Sequence, residues 1–446
     1  MPLTVSGHRV LLPGSTEPRP ATLTVEDGKI LAVDDGWRVS DVDAGDYVLI
    51  PGLVDAHVHL NEPGRTHWEG FATGTRAASA GGVTCVVDMP LNSLPPTTTV
   101  GNLGLKRDAA NGQCFTDVAF WGGVIPGNHV HLKPLVSNGV KGFKCFLIES
   151  GVEEFPCVTE GDVRLAMEAI KDVPTVLLFH AELDNTPAPS PQPPHSSTAY
   201  STFLESRPEK LEVDAISLIT RLQQQFPALR CHIVHLSAAS ALPVIRAAKS
   251  SGLNLTVETC FHYLCLAANN LPDGHPEFKC CPPIRDDANR QLLWDALLDD
   301  TIDCVVSDHS PCIAELKKLD EGDIMGAWGG ISTLGLGLSL LWTEGSKRGV
   351  TLARILEWTS KKTAEHAGLA HRKGQLAVGY DADFAIFDPD AEFKVTKAAL
   401  HFKNKLSAYE GLTLRGRVQQ TYVRGSLVYD ATATEKFASA PVGILL

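Results

Sequence analysis

Through its middle the chain repeats one hydrophobic rhythm. A short, nearly continuous apolar run ends in polar residues, and a stretch with helical spacing follows. The runs span residues 49–57, 83–89, 118–124, 140–146, 176–180, 231–235, 253–259 and 304–308, separated by amphipathic stretches such as 211–226 and 239–250. Apolar runs without alternation predict strands buried on both faces, as in a parallel sheet. Eight of them alternating with helices predict an α/β fold, a closed (β/α)8 TIM-like barrel. An open doubly wound sheet is the alternative, but no GxGxxG follows any run.

The two ends read differently. ATLTVEDGKILAV near the start carries a D-G turn between two alternating runs, and KGQLAVGYDADFAIFD and VQQTYVRGSLVYD near the finish again read as strand and turn. Neither end is long enough for its own core, so residues 1–50 plus 372–446 are expected to pair into one small β-sandwich beside a barrel of residues 51–371. The segment TPAPSPQPPHSS, residues 186–197, holds too much proline for helix or inner strand and reads as a surface loop after the fifth strand.

Composition narrows the partners. Of 446 residues, 39 are Lys or Arg and 52 are Asp or Glu, a net charge of −13 that argues against nucleic acid and anionic membranes. A small, weakly charged substrate suits it better. Eleven cysteines, an odd number without a CxxC pair, read as reduced buried thiols of an intracellular protein. With no basic-then-apolar leader and no long apolar span, the expected location is the cytoplasm.

The chemistry gathers at the run ends. His57 and His59, two apart, point to the same face of a strand and can reach one metal. Lys144 in GFKCF, His180 in LLFHAE, His235 in IVHLS and Asp308 in VVSDHSP end four further runs, where barrel enzymes place their chemistry. Imidazoles with a carboxylate suit zinc, with cobalt, manganese, nickel or iron as alternatives. An ammonium at Lys144 would repel such ions. A neutral Lys144 can instead take up CO2 as a carbamate, whose two oxygens can bridge two divalent metal ions in a hydrolase.

HVHLNEPGR, GFKCFLIESG, CPPIRD, DHSPC and KGQLAVGYDADF resemble the amidohydrolase superfamily, in its cyclic-amide hydrolase branch, and within that branch the allantoinases. The resemblance covers residues 40–430 and implies the barrel and the two-ended sandwich. It implies that His57, His59 and Asp308 hold one metal, His180 and His235 the other, and carboxylated Lys144 both. It further implies hydrolysis of allantoin to allantoate in purine breakdown, with Asp308 as base and then acid, by a homotetramer.

Dihydroorotases carry an Arg for the substrate carboxylate where this chain has Asn61, so an uncharged ring and no nearby cation are expected. Glu149 stands where hydantoinases carry a Tyr. Cys281 replaces a common Ser whose contact is made by the backbone. Asn92, Ser310 and Gly329 follow strand ends as candidate ring contacts, while packing and helix entry account for Glu62, Arg65 and Trp68. Asp88 is a candidate support behind the ligands. Two alternatives remain: the same chemistry on hydantoins, dihydropyrimidines or dihydroorotate, and a non-catalytic scaffold of this fold. Lost ligands would mark the scaffold, and all six are present.

Overall fold

The structure, a computed structural model, describes residues 2–185 and 196–446. Eight parallel strands build the barrel: β1 (Leu53–Val58), β2 (Val83–Asp88), β3 (Asp117–Phe120), β4 (Phe143–Phe146), β5 (Val176–His180), β6 (Arg230–Ile233), β7 (Leu255–Cys260) and β8 (Cys304–Val306). Almost every residue in them is buried, which is why the runs show no alternation. β1 to β3 pair in order, as do β4 to β8. The main-chain bond from Lys141 N to Phe120 O joins the two sets on one side, and a bridge between Val58 and His309 joins them on the other.

The helices between strands follow from caps and stripes. Thr159 and Asp162 form a capping box at the start of the helix Glu160–Ile170. The helix Lys210–Gln223 buries Leu211, Ala215, Ile216, Ile219 and Leu222, one apolar face at helical spacing. The stretch expected as one helix from 239 opens instead as a 3-10 turn, Ala239–Ala241, before the helix Leu242–Ser250.

Both chain ends enter a single eight-stranded sheet, with Val48–Pro51 between Leu3–Val10 and Phe384–Lys394. It has a small core of its own, including Val5, Leu23, Ile30, Phe384 and Tyr422. The D-G turn is as expected: Asp27 and Gly28 both take positive φ, 50° and 75°, between Arg19–Glu26 and Lys29–Asp35. Two readings are corrected here. The first apolar run is two strands, because 48–51 belongs to the end sheet and β1 starts after Gly52. A Cβ at Gly52 would lie 2.2 Å from Thr84 Oγ1, so only glycine lets the chain pass. Residues 373–383 form no strand. They commit Lys373, Asp381 and Asp383 to a buried ionic cluster with Asp117, where Lys373 Nζ reaches the three carboxylates at 2.5 to 2.9 Å.

Residues 186–195 of the proline-rich segment lie outside the described residues. All eleven cysteines are free thiols. Among the described residues no helix is long and apolar enough to cross a membrane.

Candidate active site

The six residues singled out at the run ends border one cavity of about 570 Å³ at the C-terminal mouth of the barrel. Their imidazoles form a contiguous chain: ring centroids lie 5.5 Å apart for His57–His59, 5.5 Å for His57–His235 and 4.6 Å for His180–His235. Asp308 Oδ1 lies 3.1 Å from His57 Nε2 and 3.5 Å from His59 Nε2. His180 Nδ1 faces His235 Nε2 at 3.0 Å. Lys144 is buried, with Nζ 5.2 Å from the Phe146 ring, which stacks on His180.

Backbone geometry aims two of these groups. His235 and Asp308 lie just beyond the ends of β6 and β8 with φ of 41° and 43°. Left-handed backbone at a branched or bulky residue costs on the order of 1 kcal/mol, and it persists where the surroundings over-determine it.

Electrostatics follow burial and neighbours. Burial pushes the Lys144 ammonium down to about 8, with Asp308 and Glu258 pulling the other way. Burial likewise brings His59 down to about 4. For Asp308 burial acts upward, yet His57 and His59 hold its carboxyl well below the usual range. Burial also lowers His180 and His235, whereas at His57 burial is outweighed by the Asp308 and Glu258 carboxylates, which raise the imidazole. The cluster therefore joins an ionised carboxylate to a lysine closer to neutrality than in water.

Residues that sequence reasoning missed hold the imidazoles from behind. Glu258 in β7 accepts from His57 Nδ1 at 2.5 Å and from His232 Nε2 at 3.0 Å. Glu182, two residues beyond His180, lies 2.7 Å from His180 Nε2 and pairs with Arg207. Asn92, expected as a ring contact, borders the cavity but also meets His59 Nδ1 at 3.2 Å. Its Oδ1 is otherwise unpartnered, and turning the amide over would let that oxygen accept the Nδ1 proton. Asp88 is the support expected: it accepts from Leu60 N at 2.8 Å and binds buried Lys106 at 2.5 Å, fixing the loop after His59. A charged residue inside an apolar strand, as in LTVETC, is the signal that would have found Glu258.

The other expected contacts divide. Ser310, Cys281 and Gly329 border the cavity. Asn61 does not: it is buried with φ of 64°, and its Nδ2 points to Pro311 O at 3.4 Å. The expectation of no nearby cation is corrected as well, since Arg207, Lys279 and Lys318 line the cavity together with Glu149. Glu62 caps the helix Phe71–Ala80 through Phe71 N, and Arg65 lies over Trp68, both packing roles.

Residues 48–428 match the model of the amidohydrolase family. The chain is 47% identical to the allantoinase of Saccharomyces cerevisiae over 98% of its length and 97% of that protein's. It is 50% identical to the allantoinase of Streptomyces avermitilis, with 97% of each covered. Among solved structures, L-hydantoinase (dihydropyrimidinase) from Arthrobacter aurescens superposes with a TM-score of 0.90 at 27% identity, over 99% of both chains.

Proposed function

We infer that this chain, which belongs to the amidohydrolase family, hydrolyses the cyclic amide bond of allantoin to give allantoate. One observation carries the reading: a chain about half identical to two allantoinases over nearly its whole length gathers six ligand-type side chains around one cavity.

The donor set fits a pair of divalent ions. Donor atoms of His57, His59 and Asp308 lie within 4.8 Å of one another, and His57 Nε2 is buried without a hydrogen-bond partner. We assign these three to one ion, His180 and His235 to the second, and Lys144, as its carbamate, to both. Burial favours the neutral amine of Lys144, the form that takes up CO2. When bound, the ions, zinc in our assignment, acidify a water and polarise the ring carbonyl.

The chain's own residues do the rest. Asp308, held ionised by two imidazoles, accepts the proton of the attacking water and returns it to the departing ring nitrogen. Glu258, Glu182 and Asn92 fix the planes of the imidazoles, so the donors are pre-set before substrate arrives. Ser310, Cys281 and Gly329 border the space left for the ring.

The cations at the cavity raise dihydroorotate as a second reading, because its carboxylate needs one. Each is already engaged: Arg207 by Glu182, Lys318 by Asp323, and Lys279 by two carbonyls. A neutral ring with a ureido arm suits such a cavity better. By resemblance we also assign a cytoplasmic homotetramer acting in purine breakdown. Comparing kcat/KM for allantoin, hydantoin, dihydrouracil and dihydroorotate tests the substrate. Preference for dihydroorotate or dihydrouracil would overturn it.

A further inference from the structure

Residues 325–330 form one wall of the cavity, bordering it through Met325, Gly326, Ala327, Trp328 and Gly329. Two buried lysines hold it: Lys279, itself at the cavity, and Lys317 behind the wall. Neither takes part in an ion pair among the described residues. Instead Lys279 Nζ donates to Met325 O at 2.7 Å and Ala327 O at 2.8 Å. Lys317 Nζ donates to Lys279 O at 3.2 Å, Trp328 O at 3.0 Å and Gly330 O at 2.6 Å, using all three of its protons. A buried ammonium without a counter-charge is costly unless every proton is satisfied, so this main-chain path is tightly determined.

The consequence is directional. The peptide between Trp328 and Gly329 is planar and trans, so its C=O and N–H point in opposite directions. Lys317 draws the Trp328 carbonyl to its own side, and Lys317 is not among the cavity-lining residues. The Gly329 N–H is thereby turned away from Lys317, on the side where Gly329 borders the cavity, and it makes no hydrogen bond among the described residues. A Cβ at Gly329 would lie 2.9 Å from Cys281 Sγ, so the wall already stands as close to the opposing thiol as a glycine allows.

We propose that Lys317 is a positioning residue that sets the 328–329 peptide so that the Gly329 N–H meets a carbonyl oxygen of the bound cyclic amide, with Lys279 bracing the turn before it. This rests on the reading of the cavity as the allantoin site. Lys317 touches neither substrate nor any metal-ligating side chain, so its loss weakens binding and leaves the ligand set intact.

The test is steady-state kinetics on metal-loaded Lys317→Met, with metal content and melting temperature measured alongside. Expected are a KM for allantoin raised about tenfold, kcat within about threefold of the unaltered protein, and unchanged metal per chain. Lys317→Arg keeps charge and donors, but its planar fork cannot meet the three carbonyls in their places. It should fold and still raise KM several-fold, and it decides the matter if Lys317→Met does not fold. A folded variant with unchanged KM, or a fall confined to kcat with metal lost, overturns the role of Lys317. Unaltered protein inert toward allantoin overturns the substrate reading instead, and the variants are then scored on whichever ring it opens.

Discussion

Glu258 Oε1 accepts the Nδ1 proton of His57 at 2.5 Å and also lies 3.3 Å from the main-chain N–H of His235. One carboxylate thus fixes the ring plane of a residue assigned to one metal and the backbone of a residue assigned to the other. Although burial opposes its charge, His57 and His232 keep it well below the usual carboxylate range.

Glu258→Gln keeps the shape and loses the charge. We expect metal content to fall below that of the unaltered protein and kcat/KM to drop about 10- to 100-fold, read by elemental analysis and steady-state rates. Full metal loading with normal rates would show that His57 needs no such support.

Lys144→Ala removes the oxygens assigned to both ions. Most activity and part of the bound metal should go, and a small carboxylic acid added to the variant should restore some of each. Lys144→Arg should fail without rescue, because a guanidinium stays charged and forms no carbamate. An Ala variant with normal turnover excludes the bridging role.

Asp308→Asn retains one oxygen and the side-chain shape but no proton acceptor. Turnover should fall by roughly 10² to 10⁴ while some metal remains. A near-normal kcat with both ions in place would move the base to another residue.

Asn61→Arg should act on stability rather than on substrate choice. Asn61 is buried at φ 64° and does not border the cavity, so a long cation there meets left-handed backbone and no room. A fall in melting temperature of several degrees is expected, with dihydroorotate still a poor substrate. Efficient dihydroorotate turnover by this variant would put position 61 back at the substrate.

His401 gives the stability an acid limb. Burial, then the Lys436, Lys405 and Arg417 cations, bring its imidazole down to about 4, and its ring packs edge-on to Phe437. Because the folded chain holds fewer protons here than the unfolded chain, stability should decline as pH falls from about 6.5 towards 4. His401→Phe should flatten the dependence of melting temperature on pH in that window. An unchanged slope would clear His401 of the effect.

What the sequence makes legible is what local pattern encodes. His57, His59, Lys144, His180, His235 and Asp308 each lie at or near the end of an apolar run, and the barrel geometry that makes run ends converge is general. Glu258 and Glu182 act across strands or against the next residue but one, so their partners are fixed only by strand order. Lys317 sits in AELKKLDE, a charged stretch that reads as a solvated helix face, yet its side chain is turned inward under the wall of residues 325–330. Asn61 misled for a related reason: adjacency to the histidine pair placed it at the substrate, whereas a left-handed turn takes its side chain to Pro311.

The strand Val48–Pro51, which feeds directly into β1, is flanked in its sheet by a strand from the start of the chain and by Phe384–Lys394 from near its finish. During synthesis the first histidine pair therefore leaves the ribosome long before one neighbour of the strand that anchors it exists. The early segment must wait with an open edge, a kinetic burden that grows with the span between partners. A ribosome stalled before residue 384 would hold a chain that already contains all six proposed ligands but has not closed the sheet that leads into β1.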